Sequence, residues 1–336
     1  MSIAMMLSSS GKQEKSNVTN VTADQADARP LQSLRVGFWG THSLFSQVVL
    51  TTLLEHYPIS VVALPAGAAQ DAPVTRWSPP SLPAIPPVID ELVIVNNLIA
   101  PPIVQRAWQQ GIPVYQVQQL RSPLVTQWLA ELALDLVCVA CFPWRIPDAL
   151  LALPTYGFLN VHPSHLPAYR GPAPLFWQLR DGLQQGGVTV HWMDAAFDSG
   201  PIAAQSALAL PVGATSAELD QLHALTGADL LLDVLGQLAT GRRPAQPQGR
   251  DGTHQSWPTA ADFRLDRQWS ARHAYNFICG TDEWRQPYPI LVDGEELLLG
   301  RALAYLPEQQ LGQAMIRQGA EVAIQFTPGV LRALLW

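Results

Sequence analysis

Between residues 34 and 141 the chain alternates short apolar runs with stretches of helical periodicity, and this alternation restricts the fold more than any other feature. Residues 34–40, 59–64, 91–95, 113–117 and 135–141 read as strands. Helices are predicted from a Thr41 or Ser43 cap to about His56, at 103–110 and at about 123–132. Short strands alternating with helices imply an α/β fold with a doubly wound, mostly parallel sheet. The turn at Gly37 and Gly40 lacks the third glycine of a dinucleotide fingerprint, so it reads as a turn that lets a helix pack back on the sheet.

Later segments change character. Residues 65–90 hold seven prolines and only three charges, Asp71, Arg76 and Asp90, and read as a long loop. A Leu-rich helix is predicted over 216–238, followed by the proline-rich joint at 241–247. Beyond it, short alternating runs at 289–292, 296–299 and 320–325 predict a smaller β-rich unit. The expected organisation is a disordered extension at 1–32, a main domain at 33–240, a linker at 241–250 and a barrel-like domain at 251–336.

Composition narrows the function classes. Mean hydropathy is +0.09 and no apolar run is long enough to span a bilayer, so no membrane association and a cytoplasmic setting are expected. The first six residues are too short and lack the basic start of a signal peptide, which leaves the sequons at Asn17 and Asn20 inert. Net charge is −7 and the only lysines are Lys12 and Lys15, a poor composition for binding nucleic acid. Cys138 and Cys141 fall in an apolar run on opposite faces of a strand, and with Cys279 they make neither a disulfide framework nor a zinc site; both are read as small core residues.

The densest chemistry lies between residues 157 and 205. Asn160 and His162, two apart on a strand, share a face at the carboxyl end of the sheet, where ligands gather in α/β folds. A second strand, at 187–193, runs into a Gly/Pro-punctuated loop carrying Asp194 and Asp198. A carboxylate there can return against His162, and it is expected to raise the imidazole pKa and favour the charged form. A metal held by His162, His165 and His191 is disfavoured, because His162 and His165 are three apart across a proline. A Ser164 nucleophile is disfavoured because no Gly-x-Ser-x-Gly elbow presents it. Arg170 reads equally as an anion anchor or a loop anchor, and Phe176 and Trp177 as core.

Asn160-Val161-His162-Pro163-Ser164, then Leu166-Pro167 and Tyr169-Arg170-Gly171, then Asp194 and Asp198-Ser199-Gly200-Pro201 resemble the folate-dependent formyltransferase family. Its members formylate methionyl-tRNA, glycinamide ribonucleotide and nucleotide-linked amino sugars. The resemblance covers about residues 34–238 and implies a Rossmann-like catalytic domain, with 10-formyltetrahydrofolate as donor, an amine as acceptor and no metal. It makes Asn160, His162 and Asp198 the catalytic set. It places the folate against Phe142, Pro143, Arg145, Ile146 and Pro147, and against Ser164, Pro167, Asp194 and Phe197. Residues 252–254, 257–259, 261–265 and 275–280 resemble the opening of the family's C-terminal module.

The acceptor is contested within the sequence. The two-domain layout resembles that of the tRNA-formylating members, which ranks initiator Met-tRNA first. Charge pulls the other way: residues 65–90 hold one Arg and no Lys, and residues 251–336 hold seven Arg against ten Asp or Glu, a net of 7 − 10 = −3. A small amine such as an amino sugar is therefore the alternative. A hydrolase releasing formate from the folate and a non-catalytic folate-binding protein rank lower.

Overall fold

In the computed structural model, which describes residues 34–67, 72–79, 102–249 and 251–336, the first apolar run becomes strand β1 (Val36–Trp39) near the middle of an eight-stranded sheet. The other strands are β2 (Ile59–Pro65), β3 (Val74–Trp77), β4 (Val114–Val117), β5 (Leu136–Ala140), β6 (Phe158–His162), β7 (Gln185–Trp192) and β8 (Ile202–Ala209). Their order is β3-β4-β2-β1-β5-β6-β7-β8. The five strands from β4 to β6 run parallel, and β3, β7 and β8 pair antiparallel with their neighbours. The chain winds outward from β1 in both directions, so the crevice at the carboxyl ends of β1 and β5 is the switch point of a doubly wound sheet.

Helix α1 (Leu44–His56) starts where the sequence places it, with the Ser43 hydroxyl accepting from the Ser46 amide. Helices α2 (Pro102–Gln109) and α3 (Pro123–Glu131) match the predicted segments, and the short α4 (Asp148–Leu151) and α5 (Pro174–Arg180) follow. The long α6 (Ser216–Ala239) opens with a capping box between Thr215 and Glu218. It packs with α1 over one sheet face, on Leu159, Val161, Val188 and Val190. The opposite face, with Val137, Val139 and Phe158, packs on Val125, Leu129 and Leu150 of α3 and α4.

Three details depart from the sequence reading. Part of the 65–90 loop is strand β3, whose Trp77 carbonyl accepts from Trp108 Nε1 at 3.0 Å; the strand expected at 91–95 lies outside the described residues. Strand β8 was not foreseen: the residues between β7 and β8 are too few for a crossover helix, so the chain must turn back antiparallel. Cys138 is buried, but Cys141 is exposed just past the end of β5 at φ 57°, so only the first of the pair is a core residue.

After residue 240 the chain crosses back over the sheet edge, where Gln246 exchanges backbone bonds of 2.7 and 2.8 Å with Ile202. Helix α7 (Ala271–Gly280) then precedes a five-stranded antiparallel sheet of β9 (Tyr288–Val292), β10 (Glu295–Leu306), β11 (Met315–Gln318), β12 (Glu321–Gln325) and β13 (Val330–Leu335). The strand order is β11-β12-β13-β10-β9. Its core is continuous with Phe176 and Leu179 of α5 and Leu219 of α6. Phe176 is buried as expected and Trp177 is half-buried. No helix among the described residues is long and apolar enough to cross a membrane.

Candidate active site

Strand parity sets the first part of the site. Leu159 and Val161 of β6 turn toward α1 and α6, which leaves Asn160 and His162 on the other face. Strand β7 repeats the pattern: Val188, Val190 and Trp192 are core, while Thr189 and His191 face the same way as Asn160 and His162. The antiparallel register sets Asn160 opposite His191 and His162 opposite Thr189. Asn160 Nδ2 lies 3.1 Å from His191 Nε2. His191 Nδ1 is 3.0 Å from the Trp192 carbonyl, which can only accept, so Nδ1 carries a proton and in that tautomer Nε2 accepts from the Asn160 amide.

The carboxylate comes from the loop between β7 and β8. Asp198 sits at φ 54°, a left-handed conformation uncommon outside glycine and asparagine. Its Oδ1 is 3.6 Å from His162 Nδ1 and 3.6 Å from His191 Nε2, and its Oδ2 accepts from the Gly171 amide at 2.9 Å. His162 Nε2 donates to the Tyr169 carbonyl at 2.9 Å. Two glycines make this approach sterically feasible. A Cβ on Gly200 would overlap the Trp192 carbonyl oxygen, and one on Gly171 (φ 115°) would overlap that of Gln255.

Electrostatics set the protonation states. Burial pushes the His162 imidazole below its ordinary value, outweighing the opposing pull of Asp198 and the Tyr169 carbonyl. The sequence expectation that Asp198 would leave His162 charged is therefore reversed in net direction, because the ring is buried. Burial alone would push the Asp198 carboxyl up. Coupling to His162 and His191, which favours the ionised carboxylate whenever either ring is protonated, together with the Gly171 amide, outweighs it and holds the group well below the usual carboxylate range. The site then contains a neutral imidazole whose Nδ1 faces an ionised carboxylate, and an amide oriented by a second histidine.

The remaining sequence-predicted residues fall into two groups. Phe142 packs on the buried Trp39 at 5.1 Å between ring centroids, and Ile146 is buried beneath the same segment. Arg145 and Pro147 line a cleft of about 630 Å³ together with Gln119, Leu120, Arg121, Ser122 and Trp144, while Pro143 is exposed beside it. None of Asn160, His162 or Asp198 lines that cleft. In the loops beside these residues, Ser164 is fully buried and its hydroxyl donates to the Ala168 carbonyl at 2.7 Å. Pro167 follows a cis peptide bond and is half-buried. Asp194 Oδ1 accepts from the Ser199 hydroxyl at 2.8 Å and the Ala196 amide at 3.1 Å. Phe197 is exposed.

Arg170, left between two roles by its sequence, is a loop anchor. Its Nε and Nη2 donate to Gln248 Oε1 at 3.1 and 2.6 Å, and its backbone pairs with Thr253 and Gln255. Sequence reasoning weighed His191 only as a metal ligand and missed its bond to Asn160. The signal was present: Thr189 and His191 are the polar half of an otherwise apolar strand. Nothing in the sequence pointed to Gln248 or to the Tyr169 carbonyl.

Comparison with known proteins places these features in context. The family model described as "Formyl transferase" matches residues 79–235. The methionyl-tRNA formyltransferase of Staphylococcus aureus is 30% identical over 260 residues, covering 77% of this chain and 76% of that protein. Among solved structures, the N-formyltransferase from Helicobacter canadensis in complex with folinic acid and dTDP-3-aminofucose superposes with a TM-score of 0.61 at 12% identity, over 90% of this chain and 99% of that one. HypX from Aquifex aeolicus in complex with tetrahydrofolic acid gives a TM-score of 0.54 at 18% identity over 89% of this chain. The chain spans only 43% of HypX.

Proposed function

The chain belongs to the formyltransferase family, and from that premise we propose that it transfers the formyl group of 10-formyltetrahydrofolate to the amine of a methionyl-tRNA in the cytoplasm. The observation that carries the chemistry is the convergence of Asn160, His162 and Asp198 at one edge of the sheet, with His191 behind them. The proposal assigns the reaction to residues 33–240 and a supporting role to residues 251–336, joined by 241–250.

The residues at the cleft fit a folate donor. Arg121 and Arg145 present guanidinium groups for its carboxylate tail, and the aromatic rings of Trp144 and Phe142, 5.6 Å apart, offer apolar surface to its body. Ser164 and Asp194 serve by shaping the two loops, since their side-chain oxygens are bonded within them. The donor supplies a formyl carbon open to attack by an uncharged amine. The protein must then stabilise charge gathering on the formyl oxygen and remove a proton from nitrogen.

Asn160 answers the first need. His191 accepts one N–H of its amide and thereby orients the second as a donor for the oxygen, and loss of such a donor typically costs roughly a hundredfold or more in rate. His162 answers the second. Being neutral, it accepts a proton at Nδ1, and the imidazolium so formed faces Asp198 Oδ1. Asp198 is kept ionised by the Gly171 amide and by the charge that His162 takes up with the proton.

The likeness to a methionyl-tRNA formyltransferase over three-quarters of both chains favours tRNA as acceptor. The net charge of −3 over residues 251–336 favours a small amine, since phosphate binding rests on Lys and Arg. Incubation with 10-formyltetrahydrofolate and either initiator Met-tRNA or a panel of amino sugars separates these readings. Turnover with Met-tRNA alone is expected. Turnover only with amino sugars transfers the assignment to them, turnover without acceptor indicates a hydrolase, and folate binding without turnover indicates a binding protein.

A further inference from the structure

The catalytic carboxylate is the one member of the set that no strand carries, so what holds its loop matters. The loop turns through Asp198 at φ 54° and Gly200 packed on the Trp192 carbonyl, and both residues point backbone carbonyls toward the chain that returns from α6. There the amide of Gln248 is fully engaged. Its Nε2 donates to the Asp198 carbonyl at 2.9 Å and to the Gly200 carbonyl at 2.8 Å. Its Oε1 accepts from Arg170 Nη2 at 2.6 Å and Nε at 3.1 Å. Arg170 directly precedes Gly171, whose amide binds Asp198 Oδ2. One side chain therefore ties both loops that meet at the carboxylate. Its own orientation is imposed, because only the amide oxygen can face a guanidinium and only the amide nitrogen can face two carbonyls.

We infer that Gln248 is a positioning residue that sets the Asp198 carboxylate against His162 by clamping the Asp198–Gly200 and Arg170–Gly171 loops together. It reaches the site from residues 241–250, so the segment leading to the C-terminal sheet also completes the geometry of the main sheet. The groups facing His162 are Asp198, His191 and the Tyr169 carbonyl. Of these Asp198 is the one that Gln248 holds directly, and Tyr169 adjoins Arg170. The catalytic meaning of the clamp rests on the proposed role of Asp198; the clamp itself does not.

The test uses the full chain with Gln248→Met, which keeps length and removes every hydrogen bond, and Gln248→Glu, which keeps the acceptor for Arg170 but turns an oxygen toward two carbonyls. Asp198→Asn runs alongside. The first readout is the titration of the His162 ring by NMR in protein without folate, assigned with His162→Gln. The second is kcat and KM for 10-formyltetrahydrofolate turnover. Gln248→Met is expected to lower the His162 pKa further, because Asp198 no longer opposes burial as closely; Gln248→Glu adds a carboxylate that pulls the other way, so that variant is read by kcat. Both variants are expected to reduce kcat by about tenfold or more while KM for the folate changes little, since misplacement by about 1 Å can cost about a hundredfold. An unchanged His162 titration in folded Gln248→Met protein overturns the clamp. A shifted titration with full turnover in Asp198→Asn keeps the clamp and overturns the catalytic reading of Asp198 instead.

Discussion

Asn160, His162 and His191 are carried by two paired strands, whereas Asp198 is carried by a loop. The strand residues owe their placement to parity and register: once Val161 and Val190 are buried under α6, their polar neighbours must emerge together on the other face. Asp198 has no such guarantee. It depends on a left-handed backbone, on glycine at 171 and 200, and on Gln248 from a segment 50 residues away in sequence. One site thus combines rigid groups specified locally with a charged group specified by tertiary contacts, and the two parts should fail differently when altered.

The largest effect is expected where the two parts meet. His162→Ala and Asp198→Ala should each lower turnover by about 100-fold or more, the usual scale for a lost proton-transfer group, with circular dichroism showing the fold intact. Near-normal turnover in either variant removes the proposed mechanism. Gly200→Ala tests the loop alone. Its methyl group has no room beside the Trp192 carbonyl, so the loop must shift, and kcat should fall by about tenfold to a hundredfold. A variant with wild-type kcat would show that the Asp198 loop tolerates displacement and is no more sensitive than the strands.

His191→Phe tests the strand part. It leaves the Asn160 amide without its acceptor, and kcat should fall by about tenfold, the rate equivalent of one buried hydrogen bond. The Asp198 loop should keep its fold, which a crystal structure of the variant would check; a collapsed loop would mean that the two parts are not separable.

The smallest effect is on stability as a function of pH. Burial lowers the pKa of His162, and likewise of His223 and His273, so the folded chain binds fewer protons than the unfolded chain below about pH 6.5. Stability should therefore decline as pH falls from about 6.5 toward the lowered folded values. Asp198 acts in a lower window: its folded pKa is depressed, so its contribution is complete above about pH 4 and is lost only below that. Denaturant unfolding at pH 7.5 and 5.5 measures the histidine part, and equal stabilities would contradict burial of neutral rings.

Much of the frame was legible because it rests on local patterns. Ser43, one of the two cap residues offered by the sequence, caps α1, and the apolar runs at β1, β2 and β5 are strands buried on both faces. Strand β3 was hidden by the prolines around it, and the antiparallel β8 by a run of small residues. The motif spacing brought Asn160, His162 and Asp198 into one hypothesis. The net shift of His162 was misread because burial outweighs the pull of Asp198 there.

By itself the sequence determined the parallel strands and the helices between them, the cap of α1 and the alternation that turns Asn160, His162 and His191 to one face, because each follows from steric and solvation preferences acting over a few residues. Only the tertiary structure decided how Asp198 returns to His162, which tautomer His191 adopts, and that Gln248 and Arg170 close the two loops. Those features depend on contacts between distant segments and on the exclusion of water from them, and neither is written in any local stretch of chain.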